Sequence, residues 1–67
     1  IIVYPNPVEA TINISKYVDI TLYNILGDVI ISKNNTNILD IAKIRSGMYT
    51  LRIIYKNKII TKQIIKK

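Results

Sequence analysis

The chain has no cysteine, histidine, tryptophan or phenylalanine, and only two glycines, two prolines and four acidic residues among its 67 positions. Without cysteine no disulfide can offset the modest stability of a domain that hides only about 60% of its unfolded surface. Without histidine or cysteine neither the nucleophilic triads nor a zinc or redox-metal centre can be assembled. Two glycines, Gly27 and Gly47, are too few for a glycine-rich phosphate loop. Ser15, Ser32 and Ser46 all lack the glycine-flanked setting of a nucleophile elbow. The acids Glu9, Asp19, Asp28 and Asp40 are dispersed, with no close pair for general acid and base work. The sequence therefore speaks against an enzyme and calls for no cofactor or metal. No apolar run approaches the roughly 18 residues that a membrane-crossing helix requires.

What is present is a period of two. Thr11 to Ser15 alternates polar and apolar residues, and Val18, Ile20 and Leu22 fall on one face of the next segment. Pro5-Asn6-Pro7 stops an apolar run at Ile1 to Tyr4, because proline fixes φ and has no N–H to donate. Asn24-Ile25-Leu26-Gly27 reads as a turn in which Gly27 takes a positive φ. Its two apolar residues are expected to tuck beneath a sheet. Asp28 to Lys33 is a further strand, closed by a polar turn at Asn34 to Asn37. Ile38 to Ile41 reads as strand, with a short helix capped by Asn37 as the alternative. After a turn at Ser46-Gly47, Met48 to Tyr55 and Lys58 to Ile65 form a hairpin around Lys56-Asn57. Tyr49 follows that glycine corner, where sandwich folds place a buried tyrosine that bonds back to the backbone. These segments predict an all-β fold, an immunoglobulin-like antiparallel β-sandwich of about seven short strands. Residues 1–67 are expected to form one domain, and the chain, opening on Ile1, to be a fragment of something longer.

Charge is distributed unevenly. The net charge is +6, and after Asp40 come eight cations, Lys43 to Lys67, with no further acid. Such a basic surface suits an acidic protein, an anionic headgroup or nucleic acid. Lysine also blunts exposed strand edges, so a merely solvated edge is the competing interpretation. Of the five tyrosines Tyr49 reads as core rather than as a base-stacking platform, and no signature of aromatics interleaved with Lys or Arg is present, which leaves nucleic acid unfavoured.

Four segments in order resemble the type A C-terminal sorting domains carried by cargo of the type IX secretion system in Bacteroidetes-type bacteria. They are Val3-Tyr4-Pro5-Asn6-Pro7, Ile20 to Gly27, Leu39 to Tyr49 with its Ser46-Gly47-Met48-Tyr49 corner, and Thr61 to Lys67. The pattern departs from the family at Gln63, where lysine is commoner, and in the brief Lys16-Tyr17 connection. The resemblance implies a secretion signal on a larger secreted precursor. Such cargo folds in the periplasm, is recognised by the outer-membrane translocon and its shuttle proteins, and crosses to the cell surface. A sortase-like cysteine peptidase then removes the sorting domain from the cargo that precedes it in cis.

On this resemblance Pro5, Asn6, Pro7, Gly27, Gly47 and Tyr49 are expected to be architectural. Lys62, Ile64, Ile65, Lys66 and Lys67 are expected to form the edge read by the translocon, through strand addition combined with charge selection. An isolated copy is expected to be able to pair with a second copy through the same edge. The rival reading is an accessory β-sandwich, an adhesion or carbohydrate-binding module, which lacks here the exposed tryptophans such modules often use.

Overall fold

The structure, a computed structural model, describes residues 1–4 and 9–67, so Pro5, Asn6 and Pro7 lie outside the described residues. Among the described residues, five strands make one antiparallel sheet: β1 (Val3–Tyr4), β2 (Thr11–Tyr23), β3 (Val29–Asp40), β4 (Gly47–Tyr55) and β5 (Lys58–Lys66). β2 is the interior strand along most of its length. One of its edges pairs with β3, from Thr11↔Asp40 to Tyr23↔Val29. The other pairs first with β1, at Val3↔Ile14, and then with β4, from Asp19↔Ile54 to Tyr23↔Thr50. β5 is added outside β4 in unbroken register from Gly47↔Lys66 to Tyr55↔Lys58.

A single sheet can bury its apolar face only by curling over it, because a flat one would leave that face in water. The alternation read from the sequence supplies the face. Ile12, Ile14, Val18, Ile20 and Leu22 of β2 all point inward, together with Leu39, Ile41, Tyr49, Leu51, Ile53 and Ile64. The curl comes from β2 and β3 together, whose register shifts between Asn13 and Val18 and again between Val18 and Ile20. Register shifts, like β-bulges, bend a strand and increase its twist without ending it. The ends of the strand pair thus fold toward one another around a shared core, giving a sandwich-like body of 30 × 22 × 16 Å.

These register shifts also explain why the described residues form five strands rather than about seven. Thr11–Ser15 and Val18–Tyr23 are one strand, with Lys16-Tyr17 inside it. The polar segment Asn34 to Asn37, expected to be a turn, is likewise internal to β3. Asn35 takes φ 51 there, and its N–H donates to Asp19 Oδ1 at 2.8 Å. The residues that interrupt the alternation lie opposite each other, so one bend accommodates both interruptions. The helical alternative at Ile38 to Ile44 is not adopted. β3 runs to Asp40, and a turn follows in which Ala42 N–H donates to Asp40 Oδ1 at 3.0 Å.

The β4–β5 hairpin closes as expected at Lys56 and Asn57, with φ 49 and 63. Two positive φ values in a two-residue loop match the twist of the strands it joins. The Lys56 ammonium lies 5.4 Å from the centre of the Tyr55 ring, a contact of cation–π type.

Candidate functional site: the C-terminal strand and the neighbouring corner

Tyr49 enters the core from β4, and its hydroxyl donates to the carbonyl of Arg45 at 2.7 Å. The ring fills the end of the core while the hydroxyl ties the 41–46 turn to the sheet, as the sequence predicted for this corner. Gly47, with φ 149, carries the chain from that turn into β4. A Cβ there would meet nothing within 4 Å, so the demand for glycine comes from the backbone itself.

The second turn is built around Asn24. Its Oδ1 accepts from the N–H groups of Leu26 and Asp28, both at 2.9 Å. The backbone adds Gly27 N–H to Asn24 O at 3.1 Å and Asn24 N–H to Asp28 O at 3.0 Å. Gly27 takes φ 89, as expected for this position. With its polar groups satisfied internally, the turn presents Ile25 and Leu26 outward, 77% and 82% exposed. The expectation that they tuck under the sheet is therefore corrected. The register of β2 and β3 is already set at Leu22↔Ile31, leaving the loop between them outside the layer. The asparagine hub was readable in principle, since an Asn side chain in a turn commonly accepts from the backbone two residues on, as Asn24 does from Leu26.

β5 does not present the five recognition candidates on one side. Ile64 is fully inside the core, whereas Lys62, Ile65 and Lys67 are exposed. Lys66 falls on the inward face with only 7% exposure, and its ammonium donates to the Lys67 carbonyl at 2.8 Å. The period of two that placed Ile64 inside places Lys66 there as well. On the outer face Ile65 stands opposite Met48, and Ile59 opposite Ile54. Arg52 lies between these pairs, 3.5 Å from the Tyr23 hydroxyl. Val3 of β1 and Lys62 to Ile64 of β5 line a cleft of about 320 Å³. Gln63 and Ile65 each have an interaction partner.

The described residues form a small antiparallel β module with apolar and basic side chains on its surface. Residues 2–67 match the family described as the secretion system C-terminal sorting domain. The chain belongs to that family, the C-terminal sorting signals of type IX secretion. A search of curated proteins found no match. A sorting domain is not itself catalytic. It works with the type IX secretion machinery on a cargo in the same polypeptide, directing it to the cell surface or the extracellular space.

Proposed function

We propose that residues 1–67 act as one unit and that the outer-membrane translocon, with its shuttle proteins, reads this unit through β5. The five residues of the recognition strand then divide the work. Lys62 and Lys67 offer exposed charge, and Ile65 offers an exposed apolar contact beside Met48. Ile64 and the inward-facing Lys66 hold the strand in place. The observation that carries this reading is the position of β5. Among the described residues it is the last strand of the sheet beyond β4, in a segment whose only charges are positive. A receptor segment with acidic side chains would complement its charge, and could pair with backbone groups at Ile59 and Thr61.

Ile59 and Thr61 extend the reading toward the hairpin. In a ladder closed by a two-residue turn, alternate residues direct their backbone groups away from the partner strand, and these two are among them. Pairing of an isolated copy with a second copy would use the same stretch. Removal by a sortase-like cysteine peptidase, after transit through the periplasm, completes the proposed route.

The test attaches a reporter ahead of the domain and compares Lys62→Glu/Lys67→Glu with the parent in a secreting cell. Both side chains are exposed, so the variant should keep at least the parent's thermal midpoint while surface delivery falls. Normal delivery by a folded variant would remove the idea. Lys66→Glu is unsuitable here, because a carboxylate at a buried position would perturb folding and recognition together. Mass spectrometry of the exported reporter's C-terminus, with and without an active sortase, tests removal separately.

A further inference from the structure

The Asn24–Gly27 turn and the turn before β4 enclose a groove of about 530 Å³. Ile25 and Ile30 line one wall, and Ile44, Met48 and Tyr49 line the other. Lys43 and Arg45 stand in the same lining, with no carboxylate among the described residues there. Leu26 projects at the tip of the turn beside it, and Ile65 faces Met48 across the β4–β5 ladder.

Small domains seldom hold two large apolar side chains in water on a turn, since each forgoes the stabilisation that burial would bring. This turn holds them there firmly, through two bonds to the Asn24 side chain and two between backbone groups. A preorganised apolar projection beside a concave, positively charged wall has the form of a binding site whose ordering cost is met in the free protein.

We propose that this groove takes an extended segment of a partner protein in which carboxylates alternate with apolar side chains. The carboxylates face Lys43 and Arg45, and the apolar groups pack between Ile25 and Met48. Charge argues against a second copy as occupant, because two chains of +6 would bring cationic walls together. Shape argues against a lipid surface, which would meet the projecting tip and leave the groove behind it unfilled. The groove is distinct from the outward edge of β5, and its test is binding in solution. Failure here leaves sorting through β5 standing, and the reverse also holds.

The test uses the 67-residue chain, isotopically labelled, and a peptide alternating aspartate with leucine. A matched peptide with lysine for aspartate and vesicles of mixed phosphatidylglycerol and phosphatidylcholine serve as the other arms. Resonances of residues 24–30 and 43–49 should shift with the acidic peptide alone. Ile25→Ser/Leu26→Ser and Lys43→Glu/Arg45→Glu should each weaken binding by about tenfold, as loss of apolar anchors or paired charges does. The second variant should also gain affinity for the lysine peptide. The proposal is overturned by absence of any shift at millimolar peptide, or by shifts confined to β5. It is equally overturned by stronger binding to vesicles than to peptide, or by self-association that depends on Ile25 and Leu26.

Discussion

Asp19 on β2 accepts a hydrogen bond from the backbone of Asn35 on β3 at 2.8 Å, across the two strands at the level where both bend. Asn35 has φ 51 and so cannot continue the regular ladder, and its N–H would otherwise have no strand partner at this level. A carboxylate acceptor is well suited to the task, since hydrogen bonds to charged groups are worth about 1.5–3 kcal/mol. This contact secures the bulge that lets a single sheet enclose its own core.

Asp19→Ala is therefore expected to lower stability by about 1–2 kcal/mol, at the lower end because the pair is exposed. Asp19→Asn keeps an acceptor oxygen and should recover most of the loss. Urea unfolding of the three proteins decides the matter. Equal midpoints would mean that the bulge holds without this bond.

Tyr49→Phe keeps the ring in the core and removes only the hydroxyl that meets the Arg45 carbonyl. The expected cost is about 1 kcal/mol, which in a domain of this size lowers the melting temperature by roughly 4–8 °C. Backbone amide exchange should rise first in residues 42–46, the turn that loses its tie. Unchanged exchange there would show that the turn is held by other contacts.

Ile53 and Ile54 are adjacent and chemically identical, yet one is 0% and the other 41% exposed. Ile53→Ala should cost about 2–5 kcal/mol, comparable with the whole stability of so small a domain, and leave much of the chain unfolded. Ile54→Thr keeps a β-branched side chain on the outer face opposite Ile59 and should stay within about 0.5 kcal/mol of the parent. Circular dichroism melts of the pair test the register directly. A one-residue slip of β4 would reverse their order.

Salt should stabilise the domain. At an ionic strength of about 0.01 M the screening length is about 30 Å, and at 0.15 M it is about 8 Å. The molecule spans 30 Å along its longest axis, so at low salt every cation repels every other across the whole body. Adding chloride over this range should raise the melting temperature by a few degrees through relief of self-repulsion. A flat or falling curve would mean that local attractions outweigh the net +6 charge.

The sequence by itself determined the all-β class, the inward face of β2 at Val18, Ile20 and Leu22, and the hairpin at Lys56 and Asn57. It also marked the corner where Tyr49 turns back on the chain. Each is local, since alternation, turn chemistry and a positive φ are properties of a few neighbouring residues. The family, too, was legible, because its four segments are short and ordered along the chain.

Only the tertiary structure decided how many strands there are. Whether Lys16-Tyr17 and Asn34 to Asn37 end a strand or bulge within it depends on what lies opposite each, and they lie opposite one another. The same holds for exposure at the corner. Ile25 and Leu26 read as apolar residues seeking a core, but the β2–β3 register had already closed the layer beside them. Lys66 is the converse case, a cation turned inward because its strand alternates and the neighbouring Ile64 position is in the core. Polarity can be read one residue at a time, whereas burial depends on the geometry of every strand around it.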